Sequence, residues 1–419
     1  MFAAIAITVV VGMAVTQLAP QRAFGSWLGV PLPPFFAFWG PELGGWSLVA
    51  ALALLAAAAT AARLRSPALG PLGFAAAAFS LALGLRLALA TSVDGPGAWA
   101  AVYAGTRGQN EYLPALSALE LGVRSFLDRF AEVAPTLPLH PSAHPPGTIL
   151  TLHLLGIDSP NGMAALTIAG GALAAPLTYA LARGLLDERG ARTAVLLFVF
   201  APSALVYGAT SADAMFATLA LAAAALLAAR GRAARALGAI ALALASFFSW
   251  ALLAVGAWAA LLRSRRAGLL AAARLSTLCA AALFAFYAGL FALTGFDLLG
   301  TLAAANDAYR AGIYFGRPYW YWLLGSPAAF LVAMGLPVAW LALRAVAARQ
   351  APALALAGVV VAAAVLGFSK AETERIWLFM VPLACVAAAS QLAPQRLGPV
   401  LGLLAAQALA VEILLGTGW

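Results

Sequence analysis

Long apolar stretches recur from one end of the chain to the other, separated by short polar segments. A helix that crosses the hydrocarbon core of a bilayer needs about 20 mostly apolar residues. By this measure we predict spans near residues 1–18, 46–62, 71–91, 162–182, 192–208, 213–229, 236–263, 270–294, 321–343, 352–368, 376–391 and 397–417. The range 236–263 is too long for one span and holds a polar break at Ser246–Ser249. We therefore expect a hairpin of two short helices there, and an all-α polytopic protein with about 13 transmembrane helices.

Composition agrees with this pattern and excludes several classes of protein. Hydrophobic residues make up 64% of the chain and charged residues 9%, and the mean hydropathy is +0.95, which is not typical of a soluble domain. The net charge of +9 does not indicate nucleic-acid binding, because the basic residues are scattered between apolar spans. Cys279 and Cys385 lie in apolar stretches, so no disulfide framework is expected. The first 18 residues lack the basic start and Ala-x-Ala end of a signal peptide, and we expect them to remain as the first helix.

Arginine clusters predict how the chain is oriented. They are Arg63 and Arg65; Arg183, Arg189 and Arg192; Arg230, Arg232 and Arg235; Arg263, Arg265, Arg266 and Arg274; and Arg344 and Arg349. Cytoplasmic loops are rich in basic residues, so these clusters predict an N-terminus inside and a C-terminus outside, provided that 236–263 crosses twice. Most acidic residues then lie outside, which favours an outward-facing acidic site. Lys370 is the only lysine among 24 basic residues; with the high alanine content this indicates a GC-rich bacterial genome, and hence a bacterial plasma membrane.

This threading divides the chain into five segments. They are the N-terminal transmembrane helices 1–91, a large outer loop 92–160, a transmembrane core 161–294, a second outer loop 295–320, and C-terminal transmembrane helices 321–419 that include the polar loop 369–375. In the first outer loop, "YLPALSALELGVRSFLDRF" (112–130) has apolar residues at helical spacing and predicts an amphipathic helix in the membrane interface. The apolar "PGTILTLHLLG" (146–156) is too short to span and predicts a second interfacial helix, begun by the proline pair.

Four residues before or at the start of predicted helices are candidates for acid–base chemistry. The stretch "HPSAHPPGTIL" (140–150) places His144 before a proline-initiated helix, where it orients a phosphate or sugar, relays a proton, or only caps the helix. Glu111 in "RGQNEYLPAL" is a general base, a cation ligand or an exposed loop acid, and Asn110 beside it can hold a substrate oxygen. Asp213 is a second carboxylate of the same site or a favourable first residue of its helix. Asp94 is most simply part of a turn.

Cations near the outer face predict phosphate binding. Lys370 and Arg375 in "SKAETER" stand where the charge bias disfavours them, which favours a phosphate partner over internal pairs with Glu372 and Glu374. Arg317 and Tyr319 lie in the aromatic "YFGRPYWYWLL", either an interfacial aromatic belt or a surface for stacking sugar rings. The spacing of histidines, cysteines and acids predicts no metal site by itself, so whether a divalent metal ion takes part is left open.

In this order, the motifs resemble the GT-C superfamily of integral-membrane glycosyltransferases, most closely the branch of the protein O-mannosyltransferases and aminoarabinose transferases. The corresponding positions are Asn110-Glu111, His144-Pro145-Pro146-Gly147, Tyr207-Gly208 with Asp213, and Arg375. Two departures matter. Asn110 replaces the acid that leads the family's pair, so the base is Glu111 or another carboxylate. Gly147 replaces the usual leucine, which argues against a true protein O-mannosyltransferase.

The resemblance implies a function on the outer face of the membrane. The donor would be a polyprenyl-phosphate-linked sugar, and the acceptor a hydroxyl of a lipid, glycan or protein. A carboxylate would deprotonate that hydroxyl, and Lys370 and Arg375 would stabilise the departing lipid phosphate. The main alternative is a transporter or flippase of a lipid-linked or small polar substrate. A catalytically inactive binding protein is a further alternative, for which Asn110 is the best argument.

Overall fold

A computed structural model describes residues 1–20, 23–66, 68–312 and 314–417, and within them the chain is nearly all α-helical. The described residues contain five helices long and apolar enough to cross a membrane, or up to seven if each of two bent helix pairs is one span. Four shorter apolar helices accompany them. The chain is therefore a helical membrane protein. The larger predicted number of about 13 spans depends on short helices whose length alone does not decide whether they cross.

The helices group into two compact units that are discontinuous in sequence. The first unit combines Met1–Trp99, Thr167–Leu221 and Arg317–Trp419, and the second combines Ala100–Leu166 and Ala222–Gly316. Pro160–Ala172 and Asp213–Ala228 each contribute residues to both units. The five consecutive segments inferred from the sequence thus contribute to the packing units in an interleaved order.

The first unit is built around two buried helices, Glu188–Val199 and Val381–Ala389, which pack on each other. All nine residues of Val381–Ala389 are buried. The other α-helices of this unit are Phe2–Leu18, Ser47–Ala61, Pro71–Ala90, Ala174–Arg183, Pro202–Thr210, Tyr319–Ala333, Leu336–Ala347, Ala351–Leu366, Thr373–Ile376 and Leu397–Leu414. Two short strands, Phe38–Trp39 and Leu415–Gly416, pair antiparallel.

The second unit has its core where Leu269–Thr294 packs against Arg232–Ser246 and Leu253–Ala267. Aromatic rings from these helices and the following turn pack together, including Phe247, Tyr287 and Phe296. The remaining α-helices are Gly105–Gly108, Val123–Asp128, Phe130–Val133, Leu139–Ala143, Gly147–Leu154 and Leu298–Ala311. The last of these lies inside the predicted outer loop 295–320, so that loop is largely helical.

Most predicted spans correspond to observed helices, and the predicted break in 236–263 is confirmed. One helix ends at Ser246 and the next α-helix begins at Leu253, with a short 3₁₀ turn between them. Two other predicted spans are bent. Glu188–Val199 meets Pro202–Ala209 at 55°, and Tyr319–Ala333 meets Leu336–Ala347 at 114°. In both cases a proline stands at the start of the second helix, where its missing N–H interrupts the hydrogen-bond ladder.

The expectation of one amphipathic helix over 112–130 is wrong. A 3₁₀ segment, Leu113–Leu119, is followed by the separate short helices Val123–Asp128 and Phe130–Val133. Gly122 takes a φ of +92° between the first two pieces, which ends regular helix there. Apolar residues do recur at helical spacing in this segment, but Gly122 allows the chain to turn. The second predicted helix is confirmed as Gly147–Leu154, beginning directly after Pro146.

Candidate functional site

Asp213 and Arg375, which are 162 positions apart in sequence, form a close ion pair in the first unit. Arg375 Nη1 donates to Asp213 Oδ2 over 2.6 Å, and both side chains are buried. Asp213 is the first residue of helix Asp213–Ala228, and the Ser211 hydroxyl donates to the same oxygen over 2.7 Å. Asp213 therefore takes the predicted helix-start position, and its carboxylate also pairs with Arg375.

The ion pair continues into a chain of four charges: Asp213, Arg375, Glu372 and Arg317. Arg375 Nη2 donates to Glu372 Oε2 over 3.1 Å, and Arg317 Nη2 donates to Glu372 Oε1 over 3.1 Å. Positive and negative groups alternate among these four side chains, so their charges compensate one another. Charges removed from water need such pairing, because an isolated buried charge is costly. One of the internal ion pairs considered as the alternative for "SKAETER" is thus present, between Arg375 and Glu372.

The loop that carries Glu372 is held in an unusual backbone conformation. Ala371 and Glu372 have φ values of +76° and +60°, in the left-handed region that non-glycine residues rarely occupy. Hydrogen bonds on both sides tie the loop to one serine: Ser326 Oγ donates to the Ser369 carbonyl over 2.9 Å, and Thr373 Oγ1 donates to the Ser326 carbonyl over 2.7 Å. Surrounding structure must hold such strained residues in place. Here the conformation sets Glu372 between two arginines.

Lys370 and Arg317 bind each other's backbone. Arg317 Nη1 donates to the Lys370 carbonyl over 2.6 Å, and Lys370 Nζ donates to the Arg317 carbonyl over 3.0 Å. Burial and the nearby guanidinium lower the pKa of Lys370. Tyr319 hydrogen-bonds the Val365 carbonyl over 2.6 Å while its ring stays exposed. The predicted phosphate-binding cations Lys370 and Arg375 therefore belong, with Arg317, to one polar region of the first unit.

Glu374 is a member of this region that the sequence reasoning did not select. The residue is 3% exposed, and its Oε1 accepts a hydrogen bond from the Phe36 N–H over 2.7 Å. Its Oε2 has no partner among the described residues. Burial raises the pKa of Glu374 to about 7, with a further increase from the neighbouring Glu372. The sequence showed four charges in six residues, but nothing in it distinguished the buried carboxyl.

Glu111 lies in the second unit, buried beside a histidine. His140 Nε2 is 3.5 Å from Glu111 Oε1, and the His140 backbone N–H donates to the Asn110 carbonyl over 3.1 Å. The ring of His144, the histidine favoured from the sequence, lies 6.4 Å from that of Tyr112. His144 ends the short helix Leu139–Ala143 and precedes Pro145. His140, which was not selected from the sequence, is thus a histidine that the fold brings to the carboxylate.

The proline-initiated helix docks onto the break between Arg232–Ser246 and Leu253–Ala267. The Gly147 N–H donates to the Phe247 carbonyl over 3.0 Å. A Cβ at position 147 would lie 2.4 Å from that carbonyl oxygen, which is far inside van der Waals contact. Glycine at this position is thus explained by a close backbone approach in this chain.

The predicted site residues fall into two groups, one in each unit. Asp213, Arg375, Lys370, Arg317 and Tyr319 are in the first, and Glu111, Asn110 and His144 are in the second. Asp94 lies in a turn, as expected. In the part of the chain that the structure describes, no three His, Cys, Asp or Glu side chains come together in a way that could hold a metal ion.

No model of a known protein family matches this chain, and a search of curated proteins finds no significant match.

Proposed function

We propose that this chain is an integral-membrane glycosyltransferase of the GT-C kind, moving a sugar from a polyprenyl-phosphate donor to an acceptor hydroxyl. The observation that carries the proposal is the Asp213–Arg375 pair. Both positions were selected from the sequence and also match the resemblance. They are distant in sequence, yet their side chains meet at 2.6 Å. Buried ionisable groups in a membrane protein commonly mark a functional site.

Glu111 is the proposed general base. Its carboxylate takes the proton of the acceptor hydroxyl, and the oxygen attacks the anomeric carbon of the donor. The new glycosidic C–O bond forms as the bond from that carbon to the phosphate oxygen breaks, and polyprenyl phosphate leaves with the electron pair. The adjacent His140, 3.5 Å away, supports this role because a histidine beside a carboxylate can orient it and share the proton.

Arg375 is the proposed ligand of the lipid phosphate, since its planar guanidinium matches a phosphate bidentately. Its two carboxylate partners already compensate its charge. Phosphate binding therefore requires Arg375 to exchange a carboxylate contact for the phosphate. The 3.1 Å contact to Glu372 is the longer of the two, and we propose that it is the one exchanged.

We further propose the topology inferred from the charges: a bacterial plasma-membrane protein with about 13 spans, an inside N-terminus and the site on the outer face. The break between Arg232–Ser246 and Leu253–Ala267 is what a double crossing requires. The acceptor class is a lipid, glycan or protein hydroxyl.

A transporter or flippase is the second candidate. The two bent helix pairs favour it, since interrupted helices are common around transporter binding sites. Transport leaves the donor intact, whereas transfer releases the lipid phosphate, and this difference decides between the candidates.

The test uses the purified protein in nanodiscs with a mixture of short-chain polyprenyl-phosphate sugars and simple hydroxyl acceptors. Mass spectrometry follows the appearance of free polyprenyl phosphate. Release that Glu111→Gln abolishes supports the transferase. Movement of intact donor across proteoliposomes without release would establish the transporter instead.

A further inference from the structure

Arg86 is a buried cation inside an apolar helix. It lies in Pro71–Ala90, a helix long and apolar enough to span a membrane, and only 2% of its surface is exposed. It stands four residues before the end of that helix. At about 1.5 Å of rise per residue this is roughly 6 Å along the axis from the helix end.

Two glycines make room for the Arg86 guanidinium within the first unit. A Cβ at Gly208 would lie 2.7 Å from Arg86 Nε, and a Cβ at Gly171 would lie 2.8 Å from Nη1. Arg86 Nε donates to the Ala204 carbonyl over 3.0 Å. Any larger residue at either glycine would displace the guanidinium, so these positions form a cradle for it.

The charge of Arg86 is not compensated by the described residues. The other buried arginines, Arg192, Arg317 and Arg375, each form an ion pair with a carboxylate. For Arg86, the described part of the chain supplies no such ion pair, and Nη1 has no hydrogen-bond partner there. Arginine does not escape this cost by losing its proton, because its guanidinium remains charged in proteins.

We propose that Arg86 binds an oxyanion of the phosphate class, supplied by a lipid headgroup or by free phosphate. The buried positive charge requires a negative partner. The Nη1 group, which lacks a hydrogen-bond partner among the described residues, is the donor that would bind it. A guanidinium fork matches phosphate oxygens. If Pro71–Ala90 spans the membrane, a position about 6 Å from its end lies near the headgroup region. The site does not depend on sugar transfer, and it stands whether or not the chain is a glycosyltransferase.

The experiment measures thermal unfolding of the delipidated full-length protein in detergent at fixed ionic strength. The titrants are dihexanoyl phosphatidic acid, inorganic phosphate and, as the uncharged control, dihexanoyl glycerol. A ligand that binds only the folded state raises the unfolding midpoint. We expect phosphatidic acid to do so for the wild type and for Arg63→Met, which removes an exposed arginine of the same unit.

Arg86→Met, of similar volume but uncharged, should lose this response, with an affinity lower by about tenfold or more. Gly208→Ala should weaken it through displacement of the guanidinium, and Arg86→Lys should keep only part of it. A response to inorganic phosphate as well assigns the site to the free oxyanion; a response to phosphatidic acid alone assigns it to the lipid headgroup. No response in the wild type overturns the proposal, even if a variant does not fold. An equal response in wild type and Arg86→Met, or an equal response to dihexanoyl glycerol, overturns it also.

Discussion

Asp213 and Arg375 each have an ordinary structural explanation when taken alone. An aspartate at a helix start stabilises the helix, and an arginine beside an apolar span is common at a membrane edge. Their pairing changes the expected effect of mutation, because a buried ion pair that loses one member leaves an uncompensated charge. An exposed pair would contribute about 0–1 kcal/mol. The burial of both side chains therefore decides how much stability is lost when one of them is mutated.

Arg375→Ala is expected to lower the free energy of unfolding by about 3–5 kcal/mol, because Asp213 and Glu372 lose their shared cation. The matched control is Arg396→Ala, at an exposed arginine of the same unit, which should change it by less than about 0.5 kcal/mol. If Arg375 also binds the lipid phosphate, affinity for a short-chain polyprenyl phosphate should fall by roughly 1.5–3 kcal/mol, with partial rescue by Arg375→Lys. A loss of stability with unchanged affinity in the folded fraction would leave Arg375 a purely structural role.

Glu111→Gln is expected to leave donor binding nearly intact while turnover falls by at least about a hundredfold, because the amide cannot accept the acceptor's proton. Turnover is measured as release of polyprenyl phosphate. Glu120→Gln, at an exposed acid of the same loop, should retain wild-type turnover. Normal turnover in Glu111→Gln would move the base to another carboxylate, with Asp213 the next to test.

Glu374 is expected to make stability depend on pH. Its pKa is about 7 in the folded protein, above the ordinary value of about 4.3 for the unfolded chain. The folded state therefore binds the proton more tightly, and stability falls as the pH rises from about 4.5 to about 7, by up to roughly 1.4 kcal/mol per pH unit. Unfolding of wild type and Glu374→Gln at pH 5, 6 and 7.5 measures this. The variant should lack this component, and identical pH profiles would show that Glu374 is not the responsible group.

Among the secondary-structure elements, the breaks between helices place the second unit's polar groups. The chain interruption after Ser246 exposes the Phe247 carbonyl, and that carbonyl receives the N–H of Gly147. This hydrogen bond fixes the position of the helix Gly147–Leu154. It thereby also restrains the segment before the helix, which begins at His140. A carbonyl inside an uninterrupted helix would not accept this bond so readily, because it would already have an intrahelical partner.

Gly147→Ala is expected to destabilise the protein, by about 1–3 kcal/mol, because the new methyl group would overlap the Phe247 carbonyl. The control is Gly289→Ala in the same unit, where a Cβ meets nothing within 4 Å inside the helix Leu269–Thr294. That change should stabilise by about 0.5–1 kcal/mol through helix propensity. Denaturation in detergent compares the two, and equal effects of both substitutions would contradict the close approach.

For the whole molecule, membrane topology is the property that the charge pattern predicts most directly. If 236–263 crosses twice, a cysteine in place of Ala233 and one in place of Ala267 should both be labelled only from the cytoplasmic side. Ser117→Cys should be labelled only from outside. All three positions are exposed, and the two native cysteines are buried. Labelling of positions 233 and 267 from opposite faces would exclude the hairpin. Ala371 and Thr373 are too buried to report on topology.

The sequence by itself determined the helical membrane class, the approximate limits of most apolar helices and the break near Ser246. These properties depend on local composition, because apolar length, proline and polar interruptions act within a few residues along the chain. It also identified Asp213, Arg375 and Glu111 as chemically unusual, since ionisable residues are rare in such apolar surroundings.

Only the tertiary structure decided the partners of those residues. It joined Asp213 to Arg375, set His140 beside Glu111, and buried the Glu374 carboxyl next to the ion-paired Arg375. It also showed that Arg86 lies in a cradle of two glycines without an ion-pair partner among the described residues. Burial and pairing depend on which distant segments pack together, and a charge pattern along the chain does not specify that packing. Because desolvation and pairing determine the energy of a charge, the chemistry of each candidate residue was fixed only once its neighbours were in place.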